Sequence, residues 1–207
     1  MHNHRRLIVL HILLVLCCQC IISGCTSPII GLGAAATTAM QEERGFEVVA
    51  SDLGTKANIT ALFLKKHKYL FPNINTIVYE GRVLITGSVS SEMERNMIEN
   101  TVRRSAGVRK ILNELRVTKI KRNVLQDNFI NLSLANKLVL DSSILSINFA
   151  TNTVDGIIYL IGIAQSQSEI DRVVGHARNI KSVRQIVNHI ILKTDPMRMR
   201  KLIPASK

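Results

Sequence analysis

Residues 80–91 read Glu-Gly-Arg-Val-Leu-Ile-Thr-Gly-Ser-Val-Ser-Ser, and residues 155–166 read Asp-Gly-Ile-Ile-Tyr-Leu-Ile-Gly-Ile-Ala-Gln-Ser. Each stretch begins on a turn signal, Glu80-Gly81 or Asp155-Gly156. Each continues as an apolar strand through Gly87 or Gly162. An acidic residue followed by Gly between two apolar runs marks a tight hairpin, because both central residues take positive φ. The two stretches are one pattern written twice, 75 residues apart.

The same offset holds on both sides of the turn without a gap. It relates Asp52 to Asp127, Asn73 to Asn148, Ser91 to Ser166, Glu94 to Glu169, Arg109 to Arg184 and Asn113 to Asn188. Apolar positions follow it: Ile59 with Leu134, Phe63 with Leu138, Ile98 with Val173, Leu115 with Ile190. Two copies are too few for a solenoid, so the repeat implies a tandem pair of domains.

Each copy reads αββαβ. The first helix is expected near Asp52–His67 and again near Asp127–Leu140, each opening on an Asp that fits an N-cap. A strand from about Asn73 or Asn148 leads into the hairpin. The second helix opens on Ser91-Glu-Met-Glu94 or Ser166-Gln-Ser-Glu169, both capping boxes. Ile170, Val173, Val174, Ala177 and Ile180 form its apolar stripe, and Gly107 fits its C′ position in the first copy. The closing strands carry Val108, Ile111 and Leu115, or Val183, Ile186 and Ile190. The expected class is α+β: two tandem αββαβ units, each a small three-stranded sheet packed on two helices. How the units sit on each other is left open.

Upstream lies a different kind of segment. Arg5 and Arg6 precede an apolar run, Leu7–Leu16, broken only by His11. That run is too short for a bilayer span of about 20 residues and reads as an export leader. Ile22-Ser23-Gly24-Cys25 then resembles the lipobox of bacterial lipoproteins. The resemblance implies removal of residues 1–24 and acylation of Cys25. Thr26, where an aspartate would signal inner-membrane retention, points to the outer membrane, facing the periplasm. Cys17, Cys18 and Cys20 would leave with the leader, so no disulfide framework is expected. The expected organisation is a lipidated tether over 25–46, domains over 47–119 and 120–195, and a basic tail over 196–207.

The chain carries 27 basic and 15 acidic residues, a formal net charge of +12, and losing Arg5 and Arg6 lowers this by two. A basic chain suits nucleic acid or an anionic membrane. The leader argues against nucleic acid, and with few aromatics and no Trp there is no stacking platform for single strands. An anionic phospholipid surface remains the expected partner, with an envelope protein also open.

The helix before a Gly-turn hairpin, the closing Gly87 or Gly162, and the segments Gly107-Val108 to Asn113 and Ser182-Val183 to Asn188 together resemble the BON domain. The resemblance covers nearly all of Ser51 to Lys193. Combined with the lipobox, it is similar to the pattern of dual-BON outer-membrane lipoproteins. It implies a non-enzymatic protein that supports envelope integrity, in which the first helix of the second domain meets anionic phospholipid. Phe129 falls where related sequences carry an interfacial aromatic. On helical spacing it shares a side with Leu132, Ser133, Asn136 and Lys137, while Ile130, Leu134 and Leu138 share another. Phe129 is otherwise a core or inter-domain residue. Further basic groups lie at Lys56, Lys65, Lys66 and Lys68, at Arg116, Lys119, Lys121 and Arg122, and at Arg198, Arg200 and Lys201 beside Met197, Met199 and Leu202. These are either membrane contacts or solvated ends. An adaptor for an envelope protein or peptidoglycan-linked machinery is the alternative.

No catalytic or cofactor motif is present. His67, His176 and His189 fall on three different elements, so no metal site is expected. Glu94 and Glu169 are read as caps, and Glu80 and Asp155 as turn residues. No small-molecule substrate is expected.

Overall fold

The hairpin is where the repeat becomes structure. In the computed structural model, which describes residues 42–118 and 123–199, Glu80 and Gly81 have φ of 51° and 69°, and Asp155 and Gly156 have 52° and 73°. Both central residues of each turn are left-handed, as the sequence requires. The strands leaving the turn are β1 (Ile74–Tyr79) and β2 (Arg82–Val89), paired antiparallel with Tyr79 opposite Arg82, and their counterparts β4 (Phe149–Val154) and β5 (Ile157–Ala164). β3 (Lys110–Val117) and β6 (Gln185–Leu192) add in parallel on the far side of β2 and β5. The sheets therefore have the orders β1-β2-β3 and β4-β5-β6. Gly87 and Gly162 sit where β2 and β5 pass the start of the preceding strand. A Cβ there would lie 2.0 Å from the Asn73 carbonyl oxygen or 2.3 Å from that of Asn148, so only glycine fits.

The helices are α1 (Phe46–Lys66), α2 (Glu92–Arg103), α3 (Val124–Leu140), α4 (Gln167–Arg178) and a short α5 (Pro196–Met199). α2 and α4 start as read: Ser91 Oγ accepts from the Glu94 amide and Ser166 Oγ from the Glu169 amide, both at 3.2 Å. The glutamates reach one residue further back than in the standard box. Glu94 accepts from the Ser90 amide at 2.7 Å, and Glu169 from that of Gln165 at 2.6 Å. Glu169 also takes the Leu145 amide, tying α4 to the approach to β4.

Asp52 and Asp127 are not caps. α1 begins six residues before Asp52 behind Gly45, and α3 begins at Val124, capped by Asn123, whose side chain accepts from the Gln126 amide. Both aspartates are buried inside their helices and face the hairpins. Asp52 accepts from the amides of Glu80 (2.7 Å) and Gly81 (2.9 Å), and Asp127 from those of Asp155 (3.0 Å) and Gly156 (2.9 Å). A tight hairpin leaves its central amides without ladder partners, and a buried carboxylate supplies the acceptor. Gly107 is not the C′ residue either. α2 ends at Arg103, and Gly107 has φ of 82° beside α1, where a Cβ would strike Thr55.

Each sheet has two inner faces to fill. Val83, Ile85 and Val89 point to Ile59, Phe63, Ile98 and Val102 of α1 and α2. Ile158, Leu160 and Ala164 point to Ile130, Leu134, Val173 and Ala177 of α3 and α4. The alternate residues build a third core. Tyr79, Leu84, Val154, Tyr159, Ile161 and Ile163 meet in one layer, with Leu112 and Val187 packed against it. The sheets thus stack face to face, with helices outside. Arg82, at the start of β2, donates to the carbonyl of Gly162, near the end of β5, and to that of His189. The central strands therefore run head to tail across the layer. Asn152 bridges it by donating to Thr86 (2.6 Å) and accepting from Asn75 (3.1 Å).

The buried aspartates give a first test. Asp127→Ala leaves two buried amides without an acceptor and is expected to lower stability by about 2–4 kcal/mol, read from the urea midpoint; Asp127→Asn, which keeps one acceptor, should lose less. The shared layer gives a second. Ile161→Asp places an unpaired charge between the sheets. Amide exchange should then accelerate in β2 of the first domain as well as in β5. Loss of protection confined to the second domain would contradict a shared core.

Candidate functional site

The face of α3 opposite its core residues is apolar and uncovered. Asp127, Ile130, Leu134 and Leu138 face inward. On the other side Leu125 is 83% exposed, Phe129 63%, Leu132 62%, Val139 70% and Leu140 84%. The series 125, 129, 132, 136, 140 steps by four or three residues, so these positions lie in one stripe. Asn136 is the polar member of that stripe, and Lys137 is exposed on its flank.

Of the residues read as a lipid-facing side, Phe129, Leu132 and Asn136 fall in this stripe, Lys137 borders it, and Ser133 is half-buried at its margin. Phe129 is neither in the core nor between the domains. Leu125, Val139 and Leu140 were missed. Reading Asp127 as a cap placed Leu125 outside the helix, although its spacing of four from Phe129 was in the sequence.

The corresponding positions of α1 carry Ala50, Gly54, Ala57, Leu64 and Lys65. One fold thus displays bulky apolar groups in the second copy and mostly small ones in the first. A shared core cannot explain this difference, because the side chains point to solvent. Exposed apolar groups gathered in one patch mark an interaction surface.

The basic residues divide. Lys56, Lys65, Lys66 and Lys68 are exposed, with Lys65 and Lys66 in the last turn of α1, where cations complement the helix dipole. Arg116 is taken by Asp155 at 3.0 Å. Arg198 lies against Glu80 (3.0 Å) and Glu43 (3.3 Å) and donates to the Glu43 carbonyl, so this part of the tail is docked rather than solvated. These hydrogen bonds, with that from Gln165 the strongest, hold the Glu43 carboxyl below its usual range. Glu80 therefore serves Arg198 as well as the turn. Cys25, the leader, the tether to Met40, Lys119, Lys121, Arg122, Arg200, Lys201 and Leu202 lie outside the described residues.

The histidines are each held by a different element. His67 Nε2 is 2.8 Å from Thr101 Oγ1, His176 Nε2 is 2.7 Å from Asp141, and His189 Nε2 is 2.9 Å from Glu114 across the domain boundary. Burial, together with neighbouring Lys66, pushes the His67 pKa down. Burial pushes the Tyr79 hydroxyl well up, even with the Arg44 guanidinium 3.9 Å over its ring. That hydroxyl donates to the Asn148 carbonyl, which makes it a structural tie. Among the described residues no group of three His, Cys, Asp or Glu is placed to hold a metal, and no helix is long and apolar enough to cross a membrane.

Among curated proteins, the chain is 35% identical over 146 residues to one from Anaplasma centrale, described only as an uncharacterized protein in the gshII 5′ region. The match covers 67% of this chain and 97% of that protein. It is 29% identical over 120 residues to a 21 kDa hemolysin of Actinobacillus pleuropneumoniae, covering 56% of this chain and 61% of the hemolysin. Among solved structures, a chain of CdsD, a structural protein of the type III secretion system of Chlamydia trachomatis, aligns with 72% of this chain and 99% of its own length, at 13% identity and a TM-score of 0.30. The family model for the BON domain matches twice, at residues 51–119 and 126–194. Both matches fall on the duplicated αββαβ units, and the chain belongs to the BON-domain family.

Proposed function

We propose that this protein is a non-enzymatic, lipid-anchored envelope protein that binds anionic phospholipid through the outer face of α3. The observation that carries the reading is the exposed stripe Leu125, Phe129, Leu132, Val139 and Leu140. Fully burying one Leu or Phe side chain is worth about 1.5–3 kcal/mol, so several dipping into the headgroup boundary give useful binding even if each buries only in part. The stripe has no carboxylate to repel an anionic surface. Asp127, the one acidic residue of α3, faces the hairpin.

Attraction to anionic headgroups is supplied by basic groups near the stripe. Lys137 borders the stripe, and Lys119, Lys121 and Arg122 precede α3 in the sequence. Each basic group near an anionic surface adds on the order of 1 kcal/mol. The lipobox-like Ile22-Ser23-Gly24-Cys25 places the anchor at Cys25, on the periplasmic face of the outer membrane. The tether then leaves the α3 face to set which side of the body meets the lipid. In this reading the protein supports envelope integrity as a surface-bound scaffold.

The test uses residues 41–207, the compact unit that keeps every core described above. It is sedimented with vesicles of phosphatidylcholine alone or mixed with phosphatidylglycerol. Binding is expected only to the mixed vesicles and should weaken about tenfold or more in Leu125→Ser/Leu132→Ser. The thermal midpoint should stay within about a degree or two of the parent, as both side chains are exposed. Equal binding to both vesicle types would overturn the proposal.

A further inference from the structure

The two copies treat the groove between their helices in opposite ways. In the second copy the groove is bridged by ions. Asp141, just past the end of α3, receives Arg172 of α4 on both carboxylate oxygens, at 2.9 and 2.8 Å, and His176 of α4 at 2.7 Å. Those hydrogen bonds, with that of Arg172 the strongest, hold the Asp141 carboxyl well below its usual range.

In the first copy the equivalent positions are Lys66, Met97 and Thr101. The acid has become a base, the Arg and His have become Met and Thr, and Thr101 is turned to His67 and to the Met97 carbonyl. A groove of about 770 Å³ opens between α1 and α2, lined by Leu62, Lys66, Met93, Met97, Thr101 and Arg104. Met93 is 75% exposed, one helical turn before the half-buried Met97. The other cations of α2 have carboxylates: Arg95 pairs with Glu92, and Arg103 with Glu99. Lys66 and Arg104 have no ion pair among the described residues.

The groove therefore presents two adaptable thioether side chains flanked by two unmatched cations. Unbranched, polarizable methionines pack against differing apolar shapes and recur at surfaces that accept partner segments. At this position the first copy carries a cation where the second carries the carboxylate, so an acidic group from another chain is complementary to it. We propose that the groove between α1 and α2 is a docking site for an acidic segment of another protein, which sets a carboxylate between Lys66 and Arg104 and an apolar side chain on Met93 and Met97. The site is on the first domain and is independent of the lipid-binding reading of α3.

The test pans a random-peptide phage library against residues 41–207 and measures the enriched peptides, as synthesised, by fluorescence polarisation. Enriched peptides should carry Asp or Glu beside Leu, Met or Phe. Lys66→Glu/Arg104→Glu should weaken them by at least about tenfold, as reversing a charge pair does. Lys66→Asp/Met97→Arg rebuilds the ion pair of the second copy, so it should abolish peptide binding with the thermal midpoint retained. Phe129→Ser/Leu132→Ser should leave peptide affinity unchanged. The proposal would be overturned by no enrichment, by enriched peptides lacking carboxylates, or by affinities that Lys66→Glu/Arg104→Glu does not alter. Loss of phosphatidylglycerol-vesicle binding rather than peptide binding in that charge-reversed variant would assign the groove to lipid and also overturn it.

Discussion

Each three-stranded sheet has one face that its own helices cannot cover, and burying that face is the constraint on which the molecule depends. The uncovered side chains are large and apolar: Tyr79 and Leu84 on one sheet, Tyr159, Ile161 and Ile163 on the other. Left in water they would form a contiguous apolar patch. The tandem repeat resolves this by turning the two faces onto each other. The polar groups caught in the layer are few and aimed. Arg82 is buried and delivers two donors to backbone carbonyls, and Asn152 spans Thr86 and Asn75. Groups that would be costly if misaligned favour a single register over a sliding apolar contact. Glu114 and His189 occupy the same position in the two copies and bond to each other, so the relation between the sheets is close to symmetric there.

Because the sheets cover one another, the helices make the outer surface. Duplication makes their differences informative. A position that the fold requires should be alike in both copies, as Asp52 and Asp127 are. Positions that face solvent are free to part, and they part in two places. The stripe of α3 gains bulk where α1 has Ala and Gly. The groove of the second domain is bridged by Asp141, Arg172 and His176, where the first is left open beside Lys66. The two copies thus differ most on different surfaces.

The elements were legible because their signals are local. A Gly after an acidic residue, a Ser three residues before a Glu, and an apolar period of 3.6 are each decided within a few residues. Asp52 and Asp127 were misread for the same reason. An aspartate ahead of a periodic apolar run fits a cap, and its true partners, the amides of Glu80, Gly81, Asp155 and Gly156, lie 28 or 29 residues away. That error shortened α3 and hid Leu125. The stacking of the sheets left a trace in Ile157–Ile161, an unbroken apolar run that means burial on both faces. Nothing in the run says what covers the second face, so the orientation of the domains stayed out of reach. The docking of Arg198 on Glu43 and Glu80 joins the two ends of the described chain and has no local signal at all.

The net charge is a poor guide to the cations free at the surface, because many of the arginines, though not Arg104, are already held within the chain. Arg44, Arg116, Arg172 and Arg198 each reach a carboxylate, and Arg82 is enclosed between the sheets. Every described lysine is exposed: Lys56, Lys65, Lys66, Lys68, Lys110, Lys137, Lys181 and Lys193. The planar guanidinium makes several directed hydrogen bonds and tolerates partial burial. An ammonium group is more strongly hydrated and stays at the surface on a flexible stem. Counting both as one positive total mixes internal fasteners with the groups that an anionic surface can meet. The tail shows the consequence: Arg198, which the sequence leaves as either a membrane contact or a solvated end, is docked on Glu80 and Glu43, and Lys137 remains as the cation beside the apolar stripe.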